Sequence, residues 1–387
     1  MKILFVINNL YVKGNGLDAS ARRTIHQLRE AGHDVRVLSG PNKGAASPQP
    51  DFPLKEFRFP LLQGIIESQG FSYASSDWKM IEKAVRWADV VHLEEAFVLE
   101  VKTLRMARKL GKPVTATYHL HPENITNSLG PLRYWKGLNR AILRAWCNLI
   151  YNHCDCIQCP TQNVLDRLRR YHIRSRLEVI SNGVIPDECR RKSEPPANYM
   201  DMDRPFKVVY IGRLSKEKDQ PTLLEAMHYS AFAKNIQLVF AGNGPCARRY
   251  KKMAHKLYRD GIVGYDPQFV FLDREGLRDL SANADLCAHC ATVEVEGLSI
   301  MEALQQGTVP VIAEGRYSGT SQFSLDWHSL FPEKNPEALA HRIDYWLSHP
   351  RERWETGKIY AEKMKDYDIR NCVEQLVKMF QDAIDKA

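Results

Sequence analysis

Carboxylates and cations at strand–helix junctions are the residues of this chain with the most chemistry in them. Residues 294–302 read Glu-Val-Glu-Gly-Leu-Ser-Ile-Met-Glu, so Glu294 and Glu302 stand eight positions apart with Glu296 between them. Gly297 turns the backbone, an apolar helical run begins at Leu298 and Ser299, and Gly307 ends it. One carboxylate therefore lies on the loop before a helix start, and the other about a turn inside. The free N–H groups and the dipole of a helix start favour an anion. Carboxylates flanking such a site can hold the hydroxyls of a ligand whose phosphates lie on the N–H groups. A nucleotide sugar has that chemistry. The bland alternative is a helix with two surface carboxylates.

Four more clusters carry similar potential. Residues 207–211 form an apolar strand pattern that runs into Gly212-Arg213-Leu214-Ser215-Lys216-Glu217-Lys218-Asp219. A strand, a glycine and the cations Arg213 and Lys218 ahead of a helix form a phosphate site. The next strand pattern, 238–241, ends in Gly242-Asn243-Gly244-Pro245. The strand pattern 114–118 runs into His119, with His121 and Glu123 as neighbours on a second-substrate side, and Glu94 and Glu95 follow the strand that ends at His92. After the first strand comes Lys13-Gly14-Asn15-Gly16, a glycine-containing loop that lacks Gly-x-Gly-x-x-Gly because residue 19 is Ala. A plain turn explains that loop equally well.

Positioning these groups requires a parallel sheet. Short apolar runs at 3–7, 35–38, 90–92, 114–118, 156–159 and 177–180 alternate with helical patterns such as 19–31 and 81–88. Such alternation argues for sheets covered by helices on both faces. Ligands of these sheets bind at the carboxyl ends of strands, where the polar and glycine residues collect here. A chain of 387 residues is long for one core, which favours two domains. The formal charge of +8 suits a partner with phosphates: a nucleotide, a phospholipid surface or nucleic acid. No apolar run is long enough to span a membrane. The opening residues read as a buried strand and not as a signal peptide. The nine cysteines read as core thiols in a reducing cytoplasm, including Cys154-x-Cys156-x2-Cys159 and Cys287-x2-Cys290. No metal is expected: Asp201-Met202-Asp203 has a ligand-like spacing but falls in the Pro- and charge-rich stretch 185–204, read as a linker.

The motifs together resemble retaining glycosyltransferase family four, whose signature is Glu-x7-Glu. The resemblance covers nearly the whole chain and is most specific in residues 1–35, 114–124 and 207–312. It implies an α/β protein of the GT-B fold, with two Rossmann-like doubly wound domains facing a cleft. The N-terminal acceptor-side domain spans 1–195, the nucleotide-sugar domain 196–365, and a C-terminal helix, 366–387, packs back on the first domain. By the same resemblance Glu294 approaches the donor sugar, Glu302 holds the ribose, and Arg213 and Lys218 meet the diphosphate. His119 contacts the sugar, and Gly16, Gly212, Gly242, Gly244, Gly297, Leu298 and Ser299 complete the donor site. His121, Glu123 and Glu94 stand on the acceptor side. Ala31-Gly32-His33-Asp34-Val35 resembles the family's turn after the first helix, and Ile180-Ser181-Asn182-Gly183-Val184 its Ile-Pro-Asn-Gly-Val turn, with Ser for Pro. Three further departures stand out: Asn15-Gly16 replaces a Gly-Gly pair, Asp219 replaces a Gly, and His289-Cys290 replaces Pro-Ser. Residues 315–320 occupy the place of a Gly-Gly-x-x-Glu turn, and no contacts are assigned to them.

The implied activity is metal-independent transfer of a sugar from a UDP- or GDP-type donor to a glycan or lipid-linked acceptor, with retention, in cell-surface polysaccharide or glycolipid synthesis. The alternatives are a GT-B sugar-nucleotide epimerase and a non-catalytic nucleotide-sugar or glycan binder. A dehydrogenase would need a complete glycine fingerprint, and a retaining glycosidase would need no cation-rich turn. No nucleic-acid partner is expected. An anionic membrane surface is a further expected partner, through a helix over 132–151. Trp135, Leu138, Ile142, Trp146 and Leu149 would form its apolar face, flanked by Arg133, Lys136, Arg140 and Arg144. Core packing against the sheet explains the same stripe. The expected location is the cytoplasm, with peripheral attachment to the inner face of the plasma membrane.

Overall fold

The computed structural model of the protein describes residues 1–10, 16–42, 48–58, 72–127, 135–191 and 194–387. The loop at 11–15, apart from Gly16, and residues 132–134 of the expected membrane helix lie outside them. The chain divides into two compact units, Met1–Ile185 with Ile369–Ala387, and Pro186–Asp368.

The first unit holds a seven-stranded parallel sheet. Its strands are β1 (Lys2–Val6), β2 (Asp34–Ser39), β3 (Phe52–Pro53), β4 (Val90–Leu93), β5 (Val114–Thr117), β6 (Cys156–Cys159) and β7 (Arg176–Val179). They lie in the order β3-β2-β1-β4-β5-β6-β7. This is a doubly wound order, with its switch point between β1 and β4. Apart from Lys2 the central strands β1, β4 and β5 are buried, and their polar members His92, Thr115 and Thr117 bond one another. Helices α1 (Gly16–Glu30), α2 (Trp78–Trp87), α3 (Val98–Lys109), α4 (Pro122–Thr126), α5 (Lys136–Leu149) and α6 (Gln162–Arg169) join them. The helix expected at 81–88 starts three residues earlier, because the Asp77 carboxylate accepts from the N–H groups of Lys79 and Met80 and caps it.

The second unit repeats the design with a six-stranded parallel sheet. Its strands are β8 (Phe206–Ile211), β9 (Ile236–Ala241), β10 (Gln268–Val270), β11 (Leu286–His289), β13 (Val309–Glu314) and β15 (Leu330–Pro332). Their order is β10-β9-β8-β11-β13-β15, with the switch point between β8 and β11. A short parallel pair, β12 (Val293–Glu294) with β14 (Tyr317–Ser318), stands beside it. Its helices are α7 (Gln220–Ala226), α8 (Ala247–Arg259), α9 (Arg274–Ala282), α10 (Leu298–Gln305), α11 (Pro336–Ser348) and α12 (Pro350–Lys363).

Two findings concern the joins. The last helix, α13 (Ile369–Ile384), belongs to the first unit. Its Ile369, Val373, Leu376, Met379 and Phe380 share one apolar core with Ile3, Phe5, Ile25 and Val37. The stretch 185–204, read as a linker for its charge and proline, is bonded to the second unit in its described part. Arg190 pairs with Glu275 and Asp279 on α9, and Arg204 pairs with Asp285. Arg353 donates to the Tyr199 hydroxyl at 2.9 Å and pairs with Asp285 at 3.0 Å. The arginines of this stretch are partners of buried or helix-borne groups.

Candidate active site

In the second unit the groups gather at the carboxyl ends of β8 and β11. The backbone after β8 bends through Gly212 and Arg213 into a 3-10 turn, Lys216–Lys218. Its partner is the loop after β9. The Gly212 N–H donates to Ala241 at 2.9 Å and that of Leu214 to Asn243 at 3.0 Å. A Cβ on Gly242 would stand 2.1 Å from the Gly212 carbonyl oxygen, and one on Gly244 2.4 Å from that of Leu214. The two loops therefore interlock backbone to backbone, and the glycines expected at the donor fix where Arg213 sits.

Lys218 is drawn toward the other motif. The Glu217 carbonyl accepts from the Thr292 N–H at 2.9 Å, so the turn is fastened to the segment leading into β12. Lys218 Nζ forms an ion pair with Glu294 at the end of that strand. Burial lowers the Lys218 pKa from 10.5 to about 8; Glu217 opposes the shift and Arg213 adds to it. Burial also lowers Arg213, against the pull of Glu217 and Cys246. Both cations are held half-desolvated, where an arriving anion gains the most. Asp219, in the place of the family's glycine, takes the left-handed conformation that glycine serves, with φ 50°. A short polar side chain tolerates this geometry, and Asp219 accepts from the Thr222 hydroxyl at 2.7 Å.

Gly297 has φ +92° and opens α10. Leu298 and Ser299 form its first turn, and Glu302 lies one turn in. Glu302 and Ser299 line a recess with Ile211, Asp187, Arg274 and Arg278. Asp187 pairs with both arginines, with Arg274 at 3.1 Å. His289, which sequence reasoning noted only as a departure from the family, is fully buried behind Glu294. Glu296 is buried as well.

The first unit has its own cluster at the ends of β4 and β5. His119 Nε2 lies 2.6 Å from Glu94, and His92 Nε2 3.3 Å from the other oxygen of that carboxylate. Burial would raise the Glu94 pKa, but His119 and His92 outweigh it and hold it near 2. His92 is fixed in turn by Thr115 at 2.8 Å and Thr117 at 2.9 Å. His121 and Glu123, expected on the acceptor side, are both buried. Arg167 donates to both Glu123 oxygens at 2.9 Å and lies 2.9 Å from His121 Nδ1. This trio braces the turn after His119. Sequence reasoning missed Asn8, which follows β1 and donates to Glu95 at 2.8 Å and to Glu100 at 3.0 Å. The signal was its place at the switch-point strand end.

The described residues gather no group of three His, Cys, Asp or Glu side chains in a metal-binding arrangement, and none of their helices is long and apolar enough to cross a membrane. Cys154, Cys156, Cys159, Cys287 and Cys290 are buried, and burial pushes Cys287 up to about 12. The expected helix face at 132–151 is corrected. Leu143, Trp146, Cys147 and Ile150 pack inward, while Trp135 and Leu149 are 61% and 48% exposed. Helix α5 starts at Lys136, and the inward stripe passes through Leu143 and Cys147, which the expected face omitted.

Two doubly wound sheets, one carrying cations and carboxylates together at its switch-point side, define a nucleotide-binding α/β protein of the two-Rossmann class. Residues 14–188 match the family model Glycosyltransferase Family 4, and residues 197–364 match Glycosyl transferases group 1. Together the two matches make the chain a glycosyltransferase of the GT-B type whose N-terminal part is family-four-like. It is similar to alpha-monoglucosyldiacylglycerol synthase of Streptococcus pneumoniae, 24% identical over 338 residues, which are 81% of this chain and 71% of the relative. Among solved structures, Anabaena HepE in complex with UDP superposes with a TM-score of 0.73 at 18% identity, over 99% of this chain and 100% of that one. Sucrose-phosphate synthase from Thermosynechococcus elongatus gives 0.71 at 17% identity, over the full length of both.

Proposed function

We propose that this glycosyltransferase moves a hexosyl group, with retention, from a UDP-sugar to the hydroxyl of a lipid acceptor at an anionic membrane surface. The observation that carries the donor half is the junction of Lys218 and Glu294. A cation suited to the diphosphate and a carboxylate suited to sugar hydroxyls meet at one point beside the start of α10. In the reaction the bond from the sugar C1 to the diphosphate oxygen breaks, and the bond from the acceptor oxygen to C1 forms. The acceptor proton passes to the released diphosphate. Arg213 and Lys218 stabilise the charge that grows on that leaving group, the task a divalent ion performs elsewhere. Glu294 orients the sugar, and Glu302 with Ser299 takes the ribose. In the first unit, Glu94 holds His119 at 2.6 Å, which suits that ring to a sugar hydroxyl.

Two observations support the lipid half. The streptococcal relative is by name a glucosyldiacylglycerol synthase. Helix α5 presents Arg140 and Arg144 to solvent, between exposed Trp135 and Leu149. Cations beside aromatic and aliphatic groups suit a bilayer interface. The test supplies UDP-glucose and UDP-galactose with diacylglycerol in phosphatidylglycerol-containing vesicles, with and without EDTA. The expected product is an α-linked glycolipid, seen from its anomeric proton coupling, with formation unaffected by EDTA. A β-linked product contradicts retention, and a free altered nucleotide sugar makes the protein an epimerase.

A further inference from the structure

His289 ends β11 and lies at the back of the donor site with 1% of its surface exposed. Its ring stacks on Tyr210, centroids 6.2 Å apart and planes inclined by 13°. Tyr210 also donates its hydroxyl hydrogen to the Lys218 carbonyl, so one buried stack fixes both the imidazole and the lysine-bearing turn. Among the described residues His289 Nε2 has no hydrogen-bond partner. The carboxylate it faces is Glu294, whose Oε2 is 3.8 Å away, and that same oxygen is held by Lys218. Burial, with Lys218 adding to it, lowers the His289 pKa to about 3, so the ring is neutral. A neutral imidazole still offers one N–H. A buried imidazole nitrogen without a partner is destabilising, and a shift of about 1 Å brings this one within hydrogen-bond length of Glu294.

We propose that His289 is a positioning residue for Glu294, taking over its carboxylate when the donor diphosphate draws Lys218 away. This rests on the second unit's site being the donor site. In the unliganded protein Lys218 and Glu294 neutralise each other. A diphosphate brings more negative charge than one carboxylate and takes the ammonium. Glu294, with 17% of its side chain exposed, then loses its ion partner in a partly buried setting unless another donor reaches it. His289 Nε2 lies 3.8 Å from Glu294 Oε2, and with the proton of the neutral ring on that nitrogen it needs only to close to hydrogen-bond length. Held on one oxygen by His289, Glu294 keeps the other for a sugar hydroxyl. Diphosphate binding thereby prepares the sugar site, and the His at this position supplies a hydrogen that the family's proline does not have.

The test uses the full chain with UDP and UDP-glucose, reading UDP affinity by calorimetry and UDP release by a coupled assay. His289→Phe keeps the ring stack and removes the donor. The expected result is a fall in kcat of roughly tenfold, with UDP affinity within about twofold of the parent. His289→Gln restores an N–H and should recover most of the loss. In a Glu294→Gln background His289→Phe should cost nothing further, since the two act as one unit. If His289→Phe does not fold, His289→Asn, whose amide stops short of the Nε2 position, replaces it in the same cycle. A kcat within about twofold of the parent, or the full loss repeated in the Glu294→Gln background, overturns the role of His289 alone. A parent protein that binds neither UDP nor GDP overturns the donor-site reading and this proposal together.

Discussion

Lys218 sets the pH behaviour of the donor site. With the site empty, burial brings its pKa down to about 8. A bound diphosphate favours the ammonium and raises that value. Between the free and the bound pKa, binding must therefore take up a proton, and affinity falls as pH rises through that window. Below pH 8 the proton is already present and affinity is flat. Calorimetry with UDP at pH 8.5 in buffers of differing ionisation heat should find most of one proton taken up, and Lys218→Met should abolish it. Equal heats in all buffers would mean that Lys218 does not meet the diphosphate. At this scale the sequence exposed Arg213, Lys218, Glu294 and Glu302, because each lies in a compact motif at a strand end. It did not expose Glu100 or Arg167, because their partners are remote in the chain. Asn8 finds Glu95 and Glu100 across 87 and 92 residues, and Arg167 reaches His121 across 46. Only the register of parallel strands brings such pairs together.

The loops after β8 and β9 are the elements that set the geometry. Their glycines were legible as strand-end turns, but their interlock was not, since it depends on how two loops meet. Gly242→Ala drives a Cβ to 2.1 Å from a backbone oxygen, which cannot rotate away as a side chain could. The cost should reach roughly 3 kcal/mol or appear as a displaced Gly212–Leu214 segment. Thermal unfolding and UDP titration should show a lower midpoint, weaker binding, or both, and a variant matching the parent in each would refute the interlock. Helix α5 shows where periodicity fails. A stripe at three- and four-residue steps from Trp135 to Leu149 is a sound helical pattern, yet the arc buried in the fold is a different one, through Leu143, Trp146 and Cys147. The residues left outside make the membrane reading sharper. Arg140→Glu/Arg144→Glu should abolish co-sedimentation with phosphatidylglycerol vesicles at low salt, and high salt should do the same to the parent. Binding indifferent to both would make α5 an ordinary surface helix.

For the whole molecule, alternation of strand and helix gave the fold class, while the last helix was placed by resemblance. No local pattern says that residues 369–384 complete the core around β1. The ion pairs of Arg190 and Arg204 with α9 and Asp285 were not legible for a related reason: charge pattern alone cannot distinguish a solvated residue from one paired with a remote carboxylate. The cation-rich turn of the second unit is proposed to stabilise a departing nucleoside diphosphate. Steady-state release of UDP from UDP-glucose in the presence of diacylglycerol vesicles tests it most directly, comparing the parent with Arg213→Ala and Lys218→Ala. Each substitution should lower kcat by about a hundredfold or more while the protein stays folded. Turnover unchanged in both variants would contradict it.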